Sequence, residues 1–164
     1  MVCTGNICRS PTAKVVLRKL LVDRGLHAVI GVDSAGTHAL SGSPPDARSV
    51  AAASLRGYEL GSQRARQFMP QDFERFDRIV VMDSDNLRWL QAQAQASAPV
   101  TQAMAKVEAL MAYHHQKDAS ADVPDPYYGA PDGFGHVLKL IEAACQGLLL
   151  SLLDQHQVRG NPRQ

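Results

Sequence analysis

The sequence predicts a single-domain α/β protein built on a parallel sheet. Strand-like and helix-like segments alternate along the chain, the pattern of a layered fold whose strands run parallel. Arg78-Ile79-Val80-Val81-Met82 is the clearest buried strand. Phe134, Val137, Leu138, Ile141, Cys145, Leu148, Leu149 and Leu152 recur at threes and fours, the period of a helix with one apolar face. With 164 residues the chain is long enough for one well-buried core, and no internal repeat or linker divides it. The domain is expected over residues 1–154, with a polar tail over residues 155–164.

Taken in order, residues 11–24 read as an amphipathic helix with Ala13, Leu17, Leu20 and Leu21 on one face, stopped at Gly25. The β-branched run Ala28-Val29-Ile30-Gly31-Val32 reads as a strand, followed by a loop holding Gly42, Pro44 and Pro45. Asp46 suits the N-cap of a helix reaching about Arg56, closed by Gly57. After the strand at 78–82, residues 86–96 read as helical. Ala, Met, Glu and Leu over residues 103–113 favour a helix by propensity. Residues 116–132 form a polar, proline-rich loop ahead of the last helix.

The chemistry concentrates in Cys3-Thr4-Gly5-Asn6-Ile7-Cys8-Arg9-Ser10-Pro11-Thr12. A cysteine and an arginine flank five residues, and Cys3 begins the loop after the first strand. In such sheets ligands bind beyond the carboxyl ends of the strands. Ser10 is a preferred N-cap and Pro11 fits a first helical turn, so loop amides and a helix N-terminus converge on one spot and favour a dianion there. The same field is expected to lower the Cys3 thiol from its free value of about 8.5. Gly5 is expected to supply a positive φ, which Asn6 also tolerates. Arg9 presents a planar fork able to hold two phosphate oxygens. A buried cysteine beside an ordinary helix start is the plain alternative, and the parts in register argue against it.

This stretch resembles the active-site loop of the low-molecular-weight protein tyrosine phosphatases, C-x5-R-S with G-N-I-C-R-S-P inside it. Val123-Pro124-Asp125-Pro126-Tyr127-Tyr128-Gly129 is similar to the general-acid loop of that family. Asp33-Ser34-Ala35-Gly36-Thr37, Pro45-Asp46-Ala47-Arg48, Arg64-Ala65-Arg66-Gln67 and Met82-Asp83-Ser84-Asp85-Asn86 follow in family order, and the resemblance runs from residue 2 to about residue 153. It implies a Rossmann-like four-stranded parallel sheet with helices on both faces and a strand near Val107–Met111, against local propensity. It implies hydrolysis of phosphotyrosine in proteins, and of small aryl phosphates, through a phosphocysteine on Cys3. Arg9 and the amides of Thr4, Gly5, Asn6, Ile7 and Cys8 would bind phosphate, Ser10 would donate to the Cys3 sulfur, and Asp125 would be general acid and base. Ile7, Leu40, Tyr127 and Tyr128 would line the substrate; Ile7 stands where a phosphoarginine-specific branch has threonine. By the same analogy Cys8 lies close enough to Cys3 for a redox pair. The implied partner is a tyrosine-phosphorylated protein, for instance a bacterial tyrosine kinase, with no cofactor and a monomeric state.

Three features depart from the family. The loop His38-Ala39-Leu40-Ser41 is one residue short and carries Leu40 where many members have an aromatic. Gln63 stands where a supporting histidine is common. Only Met1 and Val2 precede Cys3, whereas a strand usually takes about 5–6 residues, so the first strand is expected to be a truncated stub in a sequence that starts late.

A net charge of +1 gives no argument for nucleic acid or an acidic membrane surface. No 18-residue apolar run is read, so no membrane span is expected, and without a signal peptide the default is a cytoplasmic protein. Three cysteines, one of them in a reactive context, suit a reducing compartment. None of the six histidines has metal-ligand spacing. Arsenate reductase on the same fold is the nearest rival; its thiol relay would need two further cysteines near residues 70–90, where none occurs. A non-catalytic phosphoprotein-binding module is the other, and it would have no use for Asp125.

Overall fold

The computed structural model describes residues 1–95, 103–104, 106–116, 120–129 and 132–160, without the side chains of 155–160. Four strands, β1 (Val2–Cys3), β2 (Ala35–Gly36), β3 (Ile79–Val81) and β4 (Val107–Ala109), form one parallel sheet in the order β2-β1-β3-β4. The helices are α1 (Arg9–Asp23), α2 (Ala47–Ser54), the single turn α3 (Asp72–Arg75), α4 (Ser84–Gln95) and α5 (Gly133–Gly160). Successive strand residues point to opposite faces. Cys3, Val80 and Met82 therefore join Ala13, Val16, Leu17 and Leu21 of α1 and Ile141, Cys145 and Leu148 of α5 in one core. Val2, Ile79 and Val81 join Phe68, Phe73, Leu90 and Ala94 in the other. Helices thus cover both faces and leave the carboxyl edge of the sheet free for the loops.

The expected strand at 107–111 is present as β4, so sheet pairing overrides the helical propensity of that segment; its continuation, Leu110–Tyr113, tightens into a 3-10 turn. Asp46 caps α2 by accepting from the Arg48 amide, 2.9 Å, and Gly57 closes the segment with φ +77°. The strand expected over 28–32 is not one. Residues 28–30 turn off the end of α1, and pairing begins only at Ala35. A strand needs a partner, and β1 reaches only as far as Met1.

α5 is a long apolar helix. Gly133–Asp154 has the length and composition to cross a membrane, with a mean hydropathy of 1.4. Its apolar face is consumed by the core: Phe134, Val137, Leu138, Ile141, Ala144, Cys145, Leu148 and Leu149 are all buried. The α5 backbone stays helical through Gly160; the remainder of the expected tail lies outside the described residues.

β1 is short but paired on both sides. Met1 accepts from Ala35 N–H (3.0 Å) and donates its own nitrogen to the Asp33 carbonyl (2.9 Å), while Val2 accepts from Met82 N–H. Beyond Met1 a cleft of about 890 Å³ opens between the two flanking chains, lined among others by Val32, Asp33, Phe76, Arg78 and Ile79. Burial pushes the Met1 ammonium down from 8.0 to about 6. Between pH 6 and 8 the unfolded chain then binds more protons than the folded one, so stability rises with pH across that window, by up to about 3 kcal/mol. Four alternating apolar residues added ahead of Met1 would enter the cleft as strand and replace the ammonium by an amide. The expected outcome is a melting temperature higher by more than about 5 °C, from burial of about 1.5–3 kcal/mol per large side chain, and loss of the stability rise between pH 6 and 8. Thermal melts of both chains at pH 6 and pH 8 check it.

Candidate active site

The carboxyl end of β1 runs directly into a curled loop, residues 4–8, and then into α1. Cys3 is buried, its Sγ 3.0 Å from Ser10 Oγ and receiving the Asn6 N–H at 3.3 Å. Ser10 is not the N-cap. Cys8 holds that position without a side-chain cap, and Ser10 sits one residue inside α1, with Pro11 in the first turn as expected. Its hydroxyl is turned to the sulfur instead. Asn6 Nδ2 donates to Ser10 Oγ at 2.8 Å, which fills an acceptor site and leaves the hydroxyl proton for Cys3 Sγ or, at 3.3 Å, the Ala35 carbonyl.

The positive φ of the loop belongs to Asn6, at +54°, and not to Gly5. Asn adopts this conformation more readily than most side chains because it bonds locally, and here the bonds are explicit. Nδ2 reaches Ser10 and Oδ1 accepts the Arg66 N–H at 2.9 Å. Loop support therefore comes from the Arg66 backbone. Gln67 adds a second brace: its side chain donates to Thr37 O (2.6 Å) and accepts from Ala39 N–H (2.9 Å). Gln63, expected in that role, makes no side-chain hydrogen bond among the described residues. Gly36 is indispensable by space: a Cβ there would lie 2.6 Å from the Thr4 carbonyl oxygen and 3.0 Å from Asn6 N.

Arg9 is 3% exposed and uses both ends of its fork. Nη1 donates to Asp83 at 2.5 Å and to the Val123 carbonyl at 3.1 Å; Nη2 donates to Asp125 Oδ2 at 2.9 Å and, more weakly, to Thr4 Oγ1 at 3.5 Å. Residues 116 apart in sequence thus meet at one guanidinium. The loop bearing Asp125 is fixed at its base, where Val123 donates to the Met82 carbonyl (2.8 Å) and Asp122 accepts from Ser84 N–H and Oγ (both 3.0 Å). Asp125 then opens the short 3-10 turn Pro126–Tyr128 by accepting the Tyr127 N–H. The Asp125 side chain is 41% exposed, so it faces solvent on its outer side.

Asp83 and Asn86, from the segment Met82-Asp83-Ser84-Asp85-Asn86, also reach the site, although the sequence reading gave them no role. Asp83 orients Arg9 and accepts Asn86 N–H at 2.7 Å, capping the first turn of α4; Asn86 Nδ2 donates to Thr4 Oγ1 at 3.2 Å. The available signal was position, a carboxylate directly after the buried run of β3. Cys8 is buried, and burial pushes its thiol up to about 11. At the rim, Tyr127 and Tyr128 meet edge to face at 4.9 Å, and Tyr128 and Leu40 are among the most exposed large side chains of the molecule. Ile7 is half-buried in the loop floor. Among the described residues no group of three or more His, Cys, Asp or Glu is placed to hold a metal ion.

The model of the family described as low molecular weight phosphotyrosine protein phosphatase matches residues 1–158. A low molecular weight protein-tyrosine-phosphatase of Streptomyces coelicolor is 42% identical over 160 residues, covering 96% of this chain and 94% of that protein. The crystal structure of a protein tyrosine phosphatase from Entamoeba histolytica, with Hepes in its active site, superposes with a TM-score of 0.85 at 34% identity, covering 94% of this chain and 96% of the other. Wzb of Vibrio vulnificus, solved in complex with benzylphosphonate, superposes with a TM-score of 0.75 at 32% identity over 90% and 92% of the two chains.

The crowding at Gly36 yields a test. Gly36→Ala would push the end of β2 off the loop, costing about 1–3 kcal/mol of stability and weakening inorganic phosphate binding at least tenfold. Denaturant melts and phosphate inhibition constants read the two effects, and unchanged phosphate affinity would contradict the assigned contact.

Proposed function

The chain belongs to the low molecular weight phosphotyrosine protein phosphatase family, and is thereby a protein-tyrosine-phosphatase; we propose that it works through a phosphocysteine on Cys3, with Arg9 as phosphate clamp and Asp125 as general acid and base. The observation that carries this reading is the convergence of a buried sulfur, a buried guanidinium and a half-exposed carboxylate at one carboxyl edge of the sheet.

In the first step the Cys3 thiolate attacks phosphorus in line with the leaving oxygen. Loop amides and Arg9 hold the three equatorial oxygens as charge spreads over them. Asp83 and the Val123 carbonyl keep Nη1, so the guanidinium stays oriented while the phosphate displaces Asp125 from Nη2. Asp125, in its protonated form, gives its proton to the departing phenolate oxygen. In the second step Asp125 as carboxylate takes a proton from water, water oxygen bonds to phosphorus, and the S–P bond breaks. The electron pair returns to Cys3 Sγ, where the Ser10 hydroxyl and the Asn6 N–H receive it.

The substrate is a phosphorylated tyrosine in a protein. Exposed Tyr127, Tyr128 and Leu40 offer edges to a ring standing on Ile7, and a benzylphosphonate ligand in a relative is of that shape. A tyrosine kinase of bacterial type fits as partner, and the free thiols suit a reducing cytoplasm. A thiol relay to arsenate has no carrier: Cys145 is buried in α5, pushed up to about 12 by burial, with its Sγ 3.8 Å from the Ala13 carbonyl.

Cys3→Ser is expected to abolish turnover of para-nitrophenyl phosphate while retaining phosphate binding; a loss under tenfold would remove Cys3 as nucleophile. Asp125→Ala should slow aryl phosphates with poor leaving groups by about 10²–10⁴-fold and good ones far less. Equal slowing across the series would contradict the acid role.

Peroxide should inactivate the enzyme reversibly, since a neighbouring thiol traps the Cys3 sulfenic acid as a disulfide with loss of water. Cys8→Ser should make that inactivation largely resistant to dithiothreitol. Unchanged rescue would leave Cys8 a packing residue.

A further inference from the structure

Arg48, on the first turn of α2, reaches the phosphate loop, the acid loop and the start of α5. Its guanidinium grips the Asp46 carboxylate with two bonds, Nε to Oδ1 at 3.0 Å and Nη2 to Oδ2 at 2.8 Å. Asp46 in turn donates its own N–H to the Ile7 carbonyl of the phosphate loop at 2.9 Å. The same guanidinium lies 4.5 Å from the ring centre of Phe134, which is buried at the start of α5, and 5.3 Å from that of Tyr127. Nη1 points at the Tyr127 carbonyl at 3.5 Å, while the Tyr127 N–H holds Asp125 Oδ1 at 3.1 Å. The acid loop is pinned at its base by Val123 and Asp122, on the β3 side. On the far side of Asp125, buried Pro126 packs at the start of α5, and Arg48 adds the contacts to Tyr127.

We infer that Arg48 is a positioning residue for the general acid: it holds the Tyr127 end of the acid loop against α5 and the phosphate loop, and so sets where the Asp125 carboxyl stands over the leaving oxygen. A surface arginine with a near neighbour in sequence as its ion partner ordinarily does little. Here the carboxylate grips the guanidinium at two nitrogens and so fixes it over both rings, a two-point hold that lysine does not reproduce. Displacing the acid by about 1 Å is enough to cost a large factor in proton transfer. Phosphate binding would be kept, because Asp46 bonds the Ile7 carbonyl through its backbone N–H, which does not need the Arg48 side chain.

The inference rests on the general-acid reading of Asp125, and the experiment separates the two. kcat/KM is measured for a series of aryl phosphates of rising leaving-group pKa with the wild type, Arg48→Ala, Arg48→Lys, Asp125→Ala and the double variant. The expected result is a steeper leaving-group dependence for Arg48→Ala, a loss of about tenfold for phenyl phosphate against less than about twofold for the best leaving group, with phosphate inhibition unchanged. Arg48→Lys should recover less than half of the loss, and Arg48→Ala should add nothing in the Asp125→Ala background. A uniform loss across the series, a parallel loss of phosphate affinity, or additivity with Asp125→Ala would overturn the inference for Arg48. A leaving-group dependence left unsteepened by Asp125→Ala itself would instead overturn the acid assignment on which it stands.

Discussion

A guanidinium that is 3% exposed has to be neutralised where it lies, and the site is organised around how Arg9 is neutralised. Removing one partner of such a buried charge costs several kcal/mol, because the other is left uncompensated. Asp83 comes from the end of β3, Val123 and Asp125 from the loop before α5, and Arg9 from the first turn of α1. One side chain therefore sets the spacing between the sheet edge, the phosphate loop and the acid loop. It also divides its partners by permanence. Asp83 is mostly buried and additionally caps α4, whereas Asp125 is 41% exposed. Of the two carboxylates, Asp125 is the one with water on its other side.

The phosphate loop itself is a strained piece of backbone held by its surroundings. Asn6 sits in the left-handed region, and such a residue persists only where the structure over-determines it. Three elements do so: Ser10 from α1, the Arg66 backbone from the segment after α2, and the close approach of Gly36 from β2. The bonds that hold Asn6 also direct the Ser10 hydroxyl at Cys3 Sγ. Support of the loop and the hydrogen bond to the sulfur are in this way one network, so a change meant for one reaches the other.

Around this centre the two cores serve as a mount. α1 and α5 pack on one face of the sheet and α3 and α4 on the other, so the amino end of α1 and the start of α5 both reach the carboxyl edge beside the site. That places Phe134 where Arg48 can bridge it to Tyr127. The opposite edge is less complete. The ladder of β1 ends on the buried Met1 nitrogen beside a wide cleft, and the run at 28–32 stays out of the sheet despite its composition.

By itself the sequence determined the parts whose information is local or repeats with a period. The C-x5-R loop, the cap at Asp46, the buried run of β3 and the apolar face of α5 are each legible within one segment, and each is present. Only the tertiary structure decided what depends on which segments lie side by side. It denied Ser10 the cap position, moved the positive φ from Gly5 to Asn6, made the Arg66 backbone a support of the loop, and kept 28–32 out of the sheet. It also brought in Asp83, whose role exists only opposite a buried Arg9. Propensity and motif describe what a residue can do alone, whereas hydrogen bonds, strand pairing and charge neutralisation require a partner, and the partners here are up to 116 positions away.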